Sequence, residues 1–329
     1  MKARFHIVVL ASLLVVLLAP ALRAQTTGAD CSYLVAGHSY ANTFAGFMNT
    51  VEFLGSTLGN YALLPNAGAG VMTFQTGGTV KNTESMMIAD FGVFPRADVS
   101  GTYSLKWDTS KAPVLCTGTA HLTGVANQMP LVDDFQLTVT PDGQRVEMIH
   151  TNAGLIVQTI TRPAEPRGCR NSTIAGAYTY STAGWAIGQF YTNDPAQMLS
   201  GYIAGAMSGA FQFYPHRPAP DGFADVPDGA SALTAWDTLS INGGMPSGTT
   251  FAPVHRKMTG WYKVDPRDCS GTMVVRDDAG NPDFRVNFYI GKDGKFLAAV
   301  NVNNWADLGG PAPIPVFVFP IPFERADPR

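Results

Sequence analysis

The amino-acid sequence predicts an all-β protein made of two tandem antiparallel barrels of eight strands each, with a two-sheet β-sandwich as the competing arrangement. Three observations carry that expectation. The composition is rich in strand and turn formers, with 34 Gly and 23 Pro among Thr, Val, Tyr and Phe, residue types that suit pleated surfaces and the bends between them. A strand motif is written twice: Gly101-Thr102-Tyr103 leads to Cys116-Thr117-Gly118-Thr119, and Gly260-Trp261-Tyr262 leads to Cys269-Ser270-Gly271-Thr272. Each copy then reaches a hairpin signal, Pro141-Asp142-Gly143-Gln144 and Lys292-Asp293-Gly294-Lys295, where Asp and Gly tolerate the positive φ that matches strand twist. Gly143 lies 27 positions after Cys116 and Gly294 lies 25 after Cys269, so the copies stay nearly in register. Hairpin-connected strands of this number satisfy their backbone groups most simply by closing into a ring.

Lys2 and Arg4 precede an apolar run over 7–22 and then Arg23-Ala24-Gln25, the order of a secretory signal peptide cleaved after Ala24. The run is shorter than the roughly 20 residues a spanning helix needs, and Cys31 follows Gly28-Ala29-Asp30 rather than the small apolar residues of a lipid anchor. The expectation is a soluble, secreted or periplasmic protein with no membrane attachment after cleavage of 1–24. About 305 residues remain, enough for two domains. A net charge of −3 with 14% charged residues leaves no basic field for a phosphate backbone, which argues against a nucleic-acid partner.

Along the chain, 25–30 forms a short polar leader. The first repeat covers 31–162, with a strand-like stretch at 33–40 (Tyr33, Val35, Gly37, Tyr40), a looser region over 45–69, and strands at 71–76, 86–94, 99–107, 115–123, 134–140, 145–151 and 155–161. Gly77-Gly78 and Pro95 punctuate the early strands. Pro163-Ala164-Glu165-Pro166-Arg167-Gly168 is a stiff polar link over 163–168. The second repeat covers 169–329, with strands at 173–182, 202–214, 233–241, 257–264, 269–276, 284–290, 296–303 and 316–323, and with Gly176 and Tyr178 echoing Gly37 and Tyr40. Its loops 215–231 and 304–315 have no counterpart in the first repeat. Loops beyond a module's minimum are common places for binding, and equally for tolerated decoration.

Four cysteines, Cys31, Cys116, Cys169 and Cys269, remain after the signal, an even number in an oxidising compartment. Three pairings exist. Each repeat begins with one cysteine and carries the second in its duplicated motif, so the economical pairing is Cys31 with Cys116 and Cys169 with Cys269. In the chain-entropy picture each bridge is worth roughly 4 kcal/mol. No C-x-x-C spacing supports a metal site.

The order of an early cysteine, Gly-x-Tyr, Cys-Thr-Gly-Thr, an Asp-Gly hairpin and a closing strand resembles small secreted bacterial proteins of uncharacterised function that form lipocalin-like or allene-oxide-cyclase-like barrels. Here the pattern is a tandem duplicate over nearly the whole chain. The resemblance implies a calycin-type barrel, and it carries over no catalytic residue.

Candidates for chemistry come from the residues themselves. The histidines after the signal are His38, His121, His150, His216 and His255. His150 alternates with Val146 and Met148 and should point inward, where Asn301 is its counterpart, whereas His121 shares a face with Thr117 and Thr119 and should point outward. Convergence of His38, His121 and His150 would allow a zinc or copper site; three scattered, hydrogen-bonded histidines are the plainer account. The pairs Asp133-Asp134 and Asp277-Asp278 read as solvated turn residues, since neighbours on a strand face opposite ways and cannot form the two-carboxylate site of a glycosidase. No Gly-x-Ser-x-Gly elbow, His-Glu-x-x-His helix or phosphate loop is present. Trp185, Trp236, Trp261, Trp305 and Tyr202, all in the second repeat, are of the kind that lines a pocket for an apolar or aromatic ligand, though ordinary core packing accounts for such residues too. The tail 317–323 is apolar enough to close the second barrel or to mark the seam between the lobes.

The first expectation is therefore a secreted, non-enzymatic binding module for a small apolar or aromatic ligand. A barrel-interior isomerase or cyclase, or a metal-dependent enzyme in the first lobe, is the alternative, with His38, His150 and Asn301 as suspects. A structural envelope or adhesive protein is the third. No cofactor is implied, and the oligomeric state is not legible.

Overall fold

Alternation decides which side of each strand faces inward. Along the fourth strand Ala97, Val99, Tyr103, Leu105 and Trp107 are buried while Ser100, Thr102, Ser104 and Lys106 face solvent, a period of two that leaves an apolar face wanting a core. The computed structural model describes residues 28–49, 63–88, 92–110, 113–126, 129–152, 155–165, 167–191, 198–241, 254–279, 283–303 and 317–326. The expected signal segment 1–24 lies outside them.

The first lobe is a closed antiparallel barrel: β1 (Ser39–Asn49), β2 (Leu63–Phe74), β3 (Thr79–Ile88), β4 (Gly92–Asp108), β5 (Leu115–Ala126), β6 (Met129–Val139), β7 (Val146–His150) and β8 (Leu155–Pro163). β1 pairs with β8 from Tyr40 opposite Pro163 to Met48 opposite Leu155, which closes the ring. The second lobe repeats the plan with β9 (Gly176–Tyr191), β10 (Met198–Pro218), β11 (Ser231–Ile241), β12 (Val254–Val264), β13 (Ser270–Asp277), β14 (Phe284–Ile290) and β15 (Phe296–Asn301), and its last rung is divided into β16 (Phe317–Val318) and β17 (Pro320–Arg325). β9 pairs with β10 on one side and with β16 and β17 on the other. Both sheets curl into eight-stranded barrels rather than stacking as a sandwich.

The disulfides join Cys31 to Cys116 and Cys169 to Cys269, the pairing within repeats. Directly after the first cysteine of each pair comes a 3₁₀ turn, Ser32–Leu34 and Asn171–Ile174, which sends Val35 and Ile174 into the respective cores. This corrects the strand-like reading of 33–40: β1 begins only at Ser39, after Gly37 at φ +80° has turned the chain. The turn then meets the hairpin. Tyr40 donates its hydroxyl hydrogen to the Gly143 carbonyl at 2.6 Å, and Tyr178 does the same to Gly294. β3 also departs from expectation. The sequence places a strand over 86–94, whereas β3 runs from Thr79 to Ile88 and β4 begins at Gly92, because Asn82 and Glu84 interrupt the apolar signature of the inward positions of β3.

The lobes meet face to face. Ala41, Ala67, Ala69 and Met87 on the outside of the first barrel pack on Tyr289, Phe296, Ala298 and Val300 on the outside of the second, and Phe47 meets Trp185 edge to face at 4.7 Å. Alanines keep the two sheets close. The segment between lobes is tied to both: Ala164 N–H donates to Ser39 O, Glu165 N–H to Ile290 O and Gly168 N–H to Pro266 O. In the tail, Val318 enters the seam while Phe319, Ile321 and Phe323 enter the second core. No helix among the described residues is long and apolar enough to cross a membrane.

Gly143 holds φ +68°, and a Cβ there would collide with the Leu34 carbonyl oxygen of the 3₁₀ turn. Gly143→Ala is therefore expected to destabilise the protein by about 2 kcal/mol or more, combining left-handed strain with displacement of the turn. Urea unfolding with an unchanged midpoint would contradict this account.

Candidate functional site: the interior of the first barrel

The interior of the first barrel is not uniformly apolar. Asn42 follows Tyr40 on the inward face of β1, Asn82 and Glu84 follow Val80 on β3, Asp133 precedes Phe135 on β6, and His150 follows Met148 on β7. Asn66 on β2 and Thr159 on β8 are buried beside them. On β2 the residue opposite Glu84 is Gly70, where a Cβ would press on the Glu84 Cβ, so the glycine makes room for the carboxyl. Leu64, Met86, Ile88, Phe94 and Leu131 complete the buried wall.

Asn42 Nδ2 donates to Asn82 Oδ1 at 3.4 Å, and Asn82 Nδ2 donates to Glu84 Oε2 at 2.5 Å. The His150 ring stands edge-on to Phe135 at 4.1 Å. Its Nδ1 is 3.7 Å from Asp133 Oδ1, beyond a hydrogen bond. Two buried polar atoms, His150 Nδ1 and Asn66 Oδ1, have no hydrogen-bond partner among the described residues. An unsatisfied buried polar atom costs about 1–3 kcal/mol, and in a native interior it asks for an explanation. The Glu84 residue is 6% exposed and the His150 and Asp133 side chains 9% and 16%, so solvent reaches this end of the barrel only narrowly.

Burial sets the charges. Desolvation, then the nearby Asp133, pushes Glu84 up to about 8 against the pull of the Asn82 hydrogen bond. Desolvation, then Asp134, raises Asp133 to about 6. Desolvation lowers His150 to about 4, outweighing Asp134, so the imidazole is neutral at pH 7. The site thus combines a protonated carboxyl, an ionisable one and a neutral imidazole.

The second lobe grips the strand that carries Glu84. Glu84 faces Ala97 and Met86 faces Phe94, so Ser85 opposes both Pro95 and Arg96 in a β-bulge. Ser85 Oγ donates to the Pro95 carbonyl at 2.6 Å and lies 3.1 Å from the Tyr289 hydroxyl. Asn287 Nδ2 donates to the same carbonyl at 3.1 Å, and Arg96 bonds Asp268 at 2.9 Å.

Of the histidines singled out from sequence, only His150 is in this site. His38 is exposed ahead of β1, and His121 points outward to Asp134 at 2.6 Å. The three do not converge, and no metal-holding group of three His, Cys, Asp or Glu occurs among the described residues. Asp133 and Asp134 are not turn residues: both lie in β6, one inward and one outward. Asn301 is buried, but its amide donates to Arg285 O and Asn303 Oδ1 and its oxygen accepts from Asn303 N–H, which spends it on local structure.

The aromatic candidates do not gather either. Trp236 is 60% exposed, Trp185 lies in the seam, and Trp261 sits on the outer face of β12. Trp305 and the loop 304–315 lie outside the described residues, as does the side chain of Tyr202 in β10. The second barrel's interior is filled by Tyr178, Phe211, Phe213, Phe288, Phe319 and Phe323. Its charged groups are satisfied: Tyr180 donates to Asp237 at 2.7 Å and Arg256 grips both Asp237 oxygens at 2.8 and 2.5 Å. The expected loop 215–231 is shorter in the structure, since β10 runs to Pro218 and β11 starts at Ser231; the connection 219–230 is latched over the outer face, with Lys263 Nζ donating to Asp228 O and Arg276 over Phe223.

The chain matches no protein-family model, and no curated protein or solved structure is significantly similar to it. The site therefore stands on its own geometry. Sequence reasoning missed Glu84, Asn82, Asn66 and Asp133; the available signal was Val80-Asn82-Glu84, polar residues in phase with an inward apolar one.

Because Glu84 titrates higher in the folded state than its ordinary 4.5, the stability its burial permits is complete below about pH 4.5 and is lost as pH rises through about 8. His150 acts oppositely: its lowered value removes stability as pH falls from 6.5 toward 4. Glu84→Gln keeps the acceptor for Asn82 and removes the ionisation. It should match wild type at pH 5 and exceed it by about 2–4 kcal/mol at pH 9, measured by urea unfolding; an equal pH slope in the two proteins would refute the buried-acid account.

Proposed function

We propose that the first barrel binds a small, largely apolar organic molecule by one or two polar atoms and moves a proton on it, an isomerase- or cyclase-type reaction in a protein exported from the cytoplasm. The observation that carries this reading is the pair of unpartnered buried atoms, His150 Nδ1 and Asn66 Oδ1, beside two carboxyls with raised proton affinity. Water-poor walls strengthen each interaction, and carboxyls that titrate near neutrality suit general acid and base roles. In the proposed cycle protonated Glu84 donates to the substrate oxygen or carbon that gains a proton, and ionised Asp133 accepts the one that leaves. No net proton is consumed, and exchange with solvent past Asp133 resets the pair. Neutral His150 and Asn66 orient the substrate, and Leu64, Ile88 and Phe94 hold its apolar body. Export is supported by two disulfides and by the charged-apolar-small order of the first 24 residues. In this reading the second lobe, whose interior is packed with aromatic rings, braces the first.

Binding without chemistry would use the same donors, so the test separates the two. Native mass spectrometry of the protein from its own source should release a small organic compound held one to one. Incubated with that compound in deuterated water, wild type should place deuterium on carbon, and Glu84→Gln should slow this by about 100-fold or more while still binding. A bound compound that exchanges no proton reduces the role to binding. A barrel that retains no compound overturns both.

A further inference from the structure

We propose a second ligand site, separate from the barrel interior and independent of the reading above: a cavity at the junction of the lobes that takes a small organic carboxylate. The cavity has a volume of about 560 Å³ and is walled by Pro95 and Arg96 of the first lobe and by Trp261, Lys263, Arg285 and Tyr289 of the second, among others.

Three of these residues share one outward face by register. Trp261 and Arg285 both pair with Val274, from the strands on either side of it, and Lys263 is two residues beyond Trp261 on the same face. Two strand spacings put Trp261 and Arg285 about 10 Å apart at the backbone, within reach of one small molecule laid across β13. Although it points away from the barrel core, Trp261 is only 4% exposed, and its indole Nε1 is buried with no acceptor among the described residues. The indole is therefore a fixed wall of the cavity and a reporter of its occupancy.

Charge selects the ligand. The carboxylates nearby are already committed: Asp265 accepts from Arg267 at both oxygens, and Asp268 accepts from Arg96. Among the described residues Lys263 Nζ bonds a neutral carbonyl, that of Asp228, and neither it nor the Arg285 guanidinium has an acidic partner. Two cations without an acidic partner among the described residues therefore line one volume, beside a buried indole. A carboxylate answers both cations, since each of its oxygens accepts from several donors and the bonds are charge-assisted. Inorganic phosphate would leave most of the cavity unfilled. The rings of Tyr289, Pro95 and Pro227 form the remaining walls and suit an apolar or aromatic body attached to the anion.

The test uses the full chain labelled with ¹⁵N and benzoate as probe. Loss of one indole signal in Trp261→Phe assigns the resonance. Benzoate is expected to shift that signal in wild type, with affinity about tenfold weaker in Arg285→Ala, whose exposed side chain can be removed without touching the core. Benzamide, of the same shape without the charge, should bind at least about tenfold more weakly than benzoate. Should Trp261→Phe fail to fold, the benzoate-dependent affinity difference between wild type and Arg285→Ala, read by calorimetry, still decides. The proposal is overturned by an indole signal unmoved at roughly 10 mM benzoate, by equal benzoate affinity in Arg285→Ala, or by a response to phosphate with none to benzoate.

Discussion

Closure of each sheet on itself is the constraint from which the rest follows. A ring of eight antiparallel strands satisfies its backbone hydrogen bonds without exposing an edge, and it also creates an interior too narrow to be left empty. Whatever residues the strands direct inward must then pack or pair. The second lobe meets this demand with aromatic rings and one saturated Tyr180–Asp237–Arg256 cluster. The first meets it incompletely, with Glu84, Asp133 and His150 close together and two polar atoms unpartnered. The same fold thus yields one interior filled by aromatic rings and one that buries a polar cluster.

The ends of the barrels are fastened alike. In both lobes a disulfide holds a 3₁₀ turn, the turn rests on a glycine hairpin, and a tyrosine hydroxyl ties that hairpin to the first strand. These ties use the residues that the two copies share. The copies differ on the inward faces and in the long connection 219–230.

Each lobe also serves the other as a partner. The seam between barrels is built on alanines and closes over Tyr289 and Asn287, which hold the bulge at Ser85 and Pro95 next to Glu84. A strand gripped from outside keeps its inward carboxyl in place. The second barrel thereby contributes to the first barrel's interior without entering it, and its outer face turns Trp261 and Arg285 toward the junction.

Much of the fold was legible because it rests on local chemistry. Asp-Gly hairpins, the repeated Gly-x-Tyr and Cys-x-Gly-Thr motifs and the even cysteine count determined the all-β class, the two repeats and the disulfide pairing. Alternation placed His150 inside and His121 outside. The site was legible only in that one histidine. Asp133-Asp134 looks like a turn, and Asn82 and Glu84 erase the apolar signal of their own strand, so position-by-position reading discarded the residues that matter. Which inward side chains meet depends on how eight strands are staggered around a ring, and register is set by long-range pairing between residues as distant as Tyr40 and Pro163. The sequence by itself determined the strands and their fastening; only closure of the barrels decided which polar groups were buried together and which were left without partners.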